Sequence, residues 1–420
     1  MLEALYPRRA MAVVGASMDS FRAVVLQGAR QVGKSTLAQA VADARGATGV
    51  SLDDVQYRSQ AHEDPSSFVA QLGVPVVIDE VQRGGDPVVL AIKQQLDASR
   101  AKGQYLLTGS SNFLTTPMLS ESLAGRIDLI TLWPLSVGET ADGTDELIER
   151  AFDGAEALLA HRGSTLTRED YLALACRGGY PEALTLPERA RRRWYLRYLD
   201  TVLRREVVQA TDLRRFDALQ RLARTMIATT GAELVTTRLA GAIGVDRATI
   251  DTYEAWLETT FLLHRLPAWS RNAAARTVRR PKIHVSDTGL AAAVLGKDSA
   301  SLARRVDPMT GPLMESFVIA ELAKQIAWSD VDASLYHLRE TSGLEIDAVV
   351  EAADGRVVAV EVKTATTVRQ DDAAHLARLR ERLDGIGSDF VAGIVLHTGH
   401  RRTSLGDRLV ALPIADLWTG

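Results

Sequence analysis

Short apolar runs alternate with helical spacings over residues 21–135. FRAVVLQ (21–27) has strand length, and KSTLAQAVADAR (34–45) then places apolar residues at helical intervals. TGVSLDD (48–54), VPVVIDE (74–80), GQYLLTGS (103–110) and RIDLITLWPLS (126–136) are further short β-branched or apolar runs. Apolar strands separated by helices predict a parallel α/β sheet, because parallel neighbours need long crossovers. From about 136 to 225 the pattern is helical and arginine-rich. Two short helices and β-like pieces fill 232–290. Residues 311–420 return to α/β: a helix (GPLMESFVIAELAKQIAW), a hairpin (GLEIDAVVEAADGRVVAVEVKT), a polar helix (DDAAHLARLRERLDGI) and a strand (DFVAGIVLHT). No internal repeat or low-complexity linker interrupts the order.

At 420 residues the chain exceeds one ordinary core, so two to four domains are expected. The composition, 46% hydrophobic and 24% charged, is that of a globular chain, and the net charge of −4 excludes a basic nucleic-acid coat. Any nucleic-acid contact must come from local patches. Cys176 stands alone, so no intramolecular disulfide forms. The first residues carry arginines without a sustained apolar run, and no stretch of spanning length is apolar throughout. The expectation is a cytoplasmic protein without a membrane span.

GARQVGKST fits G-x-x-x-x-G-K-[ST] at Gly28, Gly33, Lys34 and Ser35, between a strand and a helix. The glycines let backbone amides turn toward phosphate oxygens, and the helix start adds its positive end. Lys34 is placed for the β- and γ-phosphates and Ser35 for Mg²⁺; Gln31 and Thr36 complete the nucleotide-binding set. VPVVIDEVQ runs an apolar strand into Asp79 and Glu80. This is the pattern in which Asp79 holds Mg²⁺ through water and Glu80 polarises the attacking water. Two adjacent acids favour a hydrolase over a nucleotide sensor. In QYLLTGSSN, Ser110 and Asn112 are candidates for touching the γ-phosphate or the water, with a polar turn as the other reading. Arg126 in LAGRI is an arginine finger for a neighbouring subunit, which implies a homo-oligomer, or a surface arginine, or a ligand acting in cis.

The ordered set of an N-terminal RR, GARQVGKST, VIDEVQ, LLTGSSN, LAGRI…LWPLS, GGYPEAL (178–184), HVSDTGL (284–290), MESFVIAEL (314–322) and EIDAVV…VEVKT resembles a large prokaryotic family of AAA-type ATPases, often called archaeal-type. The resemblance covers nearly the whole chain. It implies an AAA-like P-loop core (1–137), a helical lid (138–228), a winged helix (229–307) and a C-terminal α/β domain (308–420) similar to PD-(D/E)xK, restriction-endonuclease-like enzymes. Ser35 stands where many members carry Thr; either hydroxyl ligates Mg²⁺.

LVTTRLAGAIGVDRATIDTYEAWL reads as two helices turned at Gly244, capped by Thr236 or Thr237 and by Asp246. Beyond it, Arg265, Arg271, Arg276, Arg279, Arg280 and Lys282 occur without an acid among them. A basic wing beside a helix-turn-helix suits DNA phosphates; a packing module is the alternative. RARRRWYLRYLDTVLRRE interleaves arginines with Trp194, Tyr195 and Tyr198, as an amphipathic lid helix would; nucleic-acid binding and a γ-phosphate-sensing arginine are the other readings. His264, His284 and His337 lack metal-ligand spacing and read as structural.

Asp347, Glu361 and Lys363 match D-x₁₃-ExK. In the enzymes resembled, such acids hold Mg²⁺ or Mn²⁺, Lys363 lies on the same strand face, and a helix acid such as Glu315 adds a ligand. The other readings are a surface hairpin with an ordinary Glu–Lys pair, or a nuclease-like domain with a silent site. The leading expectation is an Mg²⁺-dependent ATPase acting on or with DNA. The alternative is an ATP-gated DNA- or protein-binding switch.

Overall fold

A computed structural model describes residues 6–109, 123, 125–160, 163–207, 213–304, 307–387 and 389–419. Ser110 and Asn112 lie outside the described residues. The chain divides into two compact units: Met1–Leu135 with Thr259–Phe261, and Ser136–Glu258 with Leu262–Gly420.

The first unit is built on β1 (Ala23–Gln27), β2 (Thr48–Ser51), β3 (Val76–Asp79), β4 (Tyr105–Gly109) and β5 (Ile127–Thr131). They lie in the order β2-β3-β4-β1-β5, and every neighbouring pair is parallel. Burial explains the runs of apolar residues: β1 and β4 are enclosed along their whole length. Val25, Ile78 and Leu107 share a core with Val50, Phe68 and Ile92. A parallel sheet brings its carboxyl ends to one edge, which is where ligands bind in such sheets. That edge carries the loop after β1, the acids ending β3 and the last residues of β4.

The second unit opens with helices. Glu188–Val207 is one continuous helix whose aromatic side packs inward. Tyr180 meets the rings of Trp194, Tyr195 and Tyr198 at 5.4, 5.9 and 4.9 Å between centroids. Arg191, on the same helix, donates to the carbonyls of Ala183 and Leu186. The segments GGYPEAL and HVSDTGL meet here. Buried Asp287 caps the helix Thr288–Leu295, accepting from the amides of Gly289 and Leu290, and also accepts from Gly179 N at 2.6 Å. Gly178 is at φ +71°, and a Cβ there would fall 2.1 Å from the Tyr195 hydroxyl and 2.2 Å from Asp287. Glycine is therefore required twice over, by backbone and by space.

Next come β6 (Ala232–Glu233), β7 (Leu263–Leu266) and β8 (Lys282–Val285), an antiparallel sheet in the order β6-β8-β7. The helices Thr236–Ile243 and Arg247–Thr259 lie between β6 and β7, turned at Gly244 with φ +79°. Asp246 caps the second, accepting from Thr249 N at 2.8 Å. The first begins differently from expectation: Val235 is its N-cap and no side chain caps it, since Thr236 and Thr237 already lie inside the helix. The basic segment between β7 and β8 contains a helix, Ala273–Val278, capped by Asn272.

The C-terminal sheet holds β9 (Ala333–Arg339), β10 (Glu345–Ala352), β11 (Val357–Lys363), β12 (Phe390–His397), β13 (Thr403–Gly406) and β14 (Leu409–Pro413), in the order β13-β14-β12-β11-β10-β9. β9, β10 and β11 are antiparallel neighbours, whereas β11 and β12 run parallel, joined through the helix Ala374–Asp384. Leu376, Leu379 and Leu383 on that helix pack with Ile346, Val349, Ala359 and Val395. The β9–β10 register slips between Ile346 and Val349, the stretch that carries Asp347. Such irregularities re-aim a side chain. No helix among the described residues is long and apolar enough to cross a membrane.

Candidate nucleotide site and an acidic cluster

The loop after β1 forms because its glycines take conformations closed to other residues. Gly28 has φ +152°, and a Cβ there would lie 2.3 Å from the carbonyl oxygen of Leu132. Gly33, at φ +98°, starts the helix Lys34–Arg45. Gln31 takes φ +63° and is exposed on the loop. Lys34 is buried beneath it, donating to the carbonyls of Gly28 and Ala29 at 2.9 and 2.8 Å. Burial lowers its pKa to about 8, against the pull of Glu80 and Asp79. Thr36 is exposed on the first turn of the helix.

Ser35, Asp79 and Glu80 come together through a hydrogen-bonded chain. Ser35 Oγ donates to both oxygens of Asp79 at 2.9 and 3.0 Å, and Ser51 Oγ donates to Oδ2 at 3.2 Å. Thr108 Oγ1 donates to Asp79 Oδ1 at 2.5 Å and accepts from Glu80 N at 3.1 Å. Gln82 Nε2 donates to Glu80 Oε2 at 2.5 Å. Glu80 itself sits at φ +54°, a left-handed conformation that is costly for a side-chain-bearing residue. Hydroxyl and carboxylate oxygens so placed fit Mg²⁺, a hard cation that takes few protein ligands and completes its shell with phosphate and water.

Thr108, Ser51 and Gln82 join this chain with no chemistry that their spacing announces. Thr108 belongs to the strand, one residue before its end, whereas Ser110 and Asn112 follow it in sequence. Arg8 donates to the carbonyls of Val32 and Trp133 at 2.7 and 2.8 Å, tying the loop to the chain beyond β5. It is the RR motif seen from the inside. Arg126 forms an ion pair with Asp97 at 2.6 Å.

In the C-terminal sheet the acids do converge. Ala348 lies opposite Val360, so one step along the ladder Asp347 faces Glu361. Asp347 Oδ2 accepts from Val362 N at 2.9 Å, and Lys363 Nζ is 3.5 Å from Glu361 Oε2. Glu315 arrives from the helix Thr310–Ile326. Among the described residues, no group of three or more His, Cys, Asp or Glu is disposed to hold a metal ion. The ammonium of Lys282 lies among three of the acids, 2.8 Å from Glu315, 3.3 Å from Glu345 and 3.7 Å from Asp347, while Arg339 stands 3.6 Å from Glu345 at the edge. Burial alone would lower the pKa of Lys282; Glu315, Asp347 and Glu345 outweigh that and raise it.

Lys282 and Arg276, assigned to a DNA-contacting surface by charge alone, are therefore engaged inside the second unit. Arg276 pairs with Glu351 at 2.7 Å, donates to the Tyr336 hydroxyl at 2.9 Å and stacks on that ring. Arg271, Arg279 and Arg280 remain exposed. His284 and His337 are buried and His264 is half-buried, and desolvation holds all three below the ordinary imidazole range.

The acids make stability pH-dependent. Burial and the neighbouring Asp347 raise Glu361 to about 8 and Glu315 to about 7, from 4.5. Well below 4.5 both are protonated whether folded or not, and nothing is lost. As pH rises the unfolded chain releases these protons first, so folding stability falls until the folded-state values are passed. The denaturant midpoint is expected to decline from about pH 5 to about pH 8. Glu361→Gln flattens that decline. A flat wild-type profile would remove this account.

Family comparisons agree with the N-terminal geometry. Residues 20–141 match the model of an AAA domain. Residues 168–301 and 310–417 match two domains of unknown function, DUF8612 and DUF4143. An uncharacterized protein of Mycobacterium tuberculosis is 28% identical over 401 residues, covering 94% of this chain and 81% of that one; a counterpart in Mycobacterium bovis gives the same figures. Among solved structures, a Walker-type ATPase of Pyrococcus abyssi aligns over 70% of this chain and 97% of its own, at 15% identity and a TM-score of 0.43. The RuvB Holliday junction branch migration motor of Thermotoga maritima aligns over 62% and 88%, at 20% identity and a TM-score of 0.26. Residues 20–141 thus carry both the match to an AAA domain and the glycine-loop geometry described above.

Proposed function

We propose that this chain binds and hydrolyses ATP with Mg²⁺, and that its C-terminal half serves as a binding module without nuclease activity. The observation carrying the first part is the chain Ser35–Asp79–Thr108–Glu80 beside the glycine loop. The loop amides and Lys34 orient the β- and γ-phosphates. Ser35 and Asp79 would hold Mg²⁺, which supplies positive charge to the phosphate oxygens. Glu80, fixed by Thr108 and Gln82, accepts the proton of the attacking water as the γ-phosphoryl group leaves ADP. Gln31 and Thr36 flank the phosphates. Arg126 serves a neighbouring copy only after leaving Asp97. Localisation in the cytoplasm goes with this reading.

Three further domains are proposed with the boundaries expected above: a helical lid, a winged helix and a nuclease-like domain. In support of the last, Asp347 and Glu361 face each other across the β10–β11 hairpin with Glu315 on the preceding helix, the pattern that the resemblance implies. The occupancy of its acids by Lys282 favours the silent form. A second reading, DNA contact, rests on exposed Arg271, Arg279 and Arg280 beside the two helices turned at Gly244.

The test measures ATP turnover and duplex integrity in one reaction, with Mg²⁺ or Mn²⁺ and with or without DNA. Turnover that disappears in Lys34→Ala, with the duplex intact, is the expected result. Cleavage that Glu361→Gln abolishes would overturn the binding-module reading. Absent turnover in all mixtures would overturn the ATPase.

A further inference from the structure

Four carboxylates meet on one face of the C-terminal sheet. Glu345 and Asp347 alternate onto the same side of β10, Asp347 faces Glu361 across the ladder, and Glu315 reaches them from the neighbouring helix. Like charges this close require a cation or a proton among them. The residues carrying the acids do not supply the central one. Lys363, on β11, reaches only Glu361 Oε2, at 3.5 Å. The other oxygen, Oε1, is buried and accepts no hydrogen bond, with His375 Nδ1 3.7 Å away. His284 Nε2 stands 3.9 Å from Glu315 and is likewise buried without a hydrogen bond. The ammonium comes from β8, a strand of the three-stranded sheet, on a side chain only 3% exposed.

We propose that Lys282 is the resident cation of this cluster, an internal ammonium in the place a divalent ion would take, and that β8 thereby keeps the acids closed to metal. The chemistry is that of a hard-cation site. Carboxylate oxygens from one helix and two strands are available, and Glu361 Oε1 is still without a donor. A monovalent ammonium balances part of that charge, and Glu315, Asp347 and Glu345 offset its desolvation. It also explains why this face carries more acid than a surface hairpin needs. The inference concerns the C-terminal cluster alone and stands whether or not the P-loop hydrolyses ATP.

The test uses the full chain in an Asp79→Asn background, so that the P-loop carboxylate does not bind the probe. Mn²⁺ binding is followed by titration calorimetry and by loss of the free-ion electron paramagnetic resonance signal. Wild-type Lys282 is expected to give no binding that depends on Asp347. Lys282→Met, which keeps the apolar stem, and Lys282→Ala are each expected to gain a Mn²⁺ site that Asp347→Asn removes. A folded Lys282 variant with no gain overturns the proposal. So does Asp347-dependent Mn²⁺ binding with Lys282 intact, an outcome readable even if both Lys282 variants fail to fold.

Discussion

Glu80→Gln is expected to slow ATP turnover by on the order of 10²–10⁴-fold while nucleotide remains bound. The amide keeps the size of the side chain and its contact with Gln82, so the left-handed turn at Glu80 should survive. What is lost is the proton acceptor. Lys34→Ala should behave differently, losing affinity itself, because it removes the cation under the loop. Thr108→Val separates a third effect. It preserves shape but breaks the link through which Asp79 and Glu80 hold each other, so turnover falls and Mg²⁺ dependence shifts to higher concentration. Single-turnover rates beside a fluorescent-nucleotide affinity distinguish the three. Wild-type turnover in Glu80→Gln would remove Glu80 from the chemistry, and an unchanged Mg²⁺ profile in Thr108→Val would reduce Thr108 to packing.

Asp287→Ala is expected to destabilise the fold of the second unit by about 3–5 kcal/mol, one of the largest single-residue effects in the chain. Its carboxylate accepts from the amides of Gly179, Gly289 and Leu290 in a buried setting. Burial pushes its pKa up even against those donors, so the group is costly to keep and costlier to remove. Truncation leaves the amides of Gly179 and Gly289 without their acceptor, while Leu290 N keeps the backbone carbonyl of residue 287 at 3.1 Å. Asp287→Asn retains one acceptor oxygen and should recover part of the loss. The measurement is the urea midpoint of each variant. If Asp287→Ala melts like wild type, the HVSDTGL segment serves something other than packing, and the link to Gly179 is incidental.

These two sites show how differently sequence and folding contribute. The nucleotide loop was legible because its requirements are local. Gly28 and Gly33 are needed within a few bonds of the amides they free, and Lys34 and Ser35 follow at fixed helical positions. Asp79 and Glu80 were legible for a related reason: an apolar parallel strand delivers its last residues to one edge of the sheet. The pairing of Asp347 with Glu361 likewise follows from hairpin alternation. The chain sequence by itself thus determined the α/β core, the phosphate loop and the facing acids.

Partners across long separations were decided only by tertiary structure. Thr108 stands 29 residues from Asp79, and no spacing rule selects it over Ser110 or Asn112. Arg8 reaches Trp133 across 125 residues. Lys282 and Arg276 carry the same formal charge as the exposed Arg271 and Arg280, and sequence treats them alike. Folding separates them. Lys282 lies on a buried strand whose side chain can turn only toward Glu315, Glu345 and Asp347, while Arg276 is drawn onto Tyr336 and Glu351. A charge in water binds whatever arrives, whereas a buried charge must find its counter-ion within the fold. That physical difference separates the exposed Arg271, Arg279 and Arg280 from Lys282 and Arg276, whose counter-ions lie inside the fold.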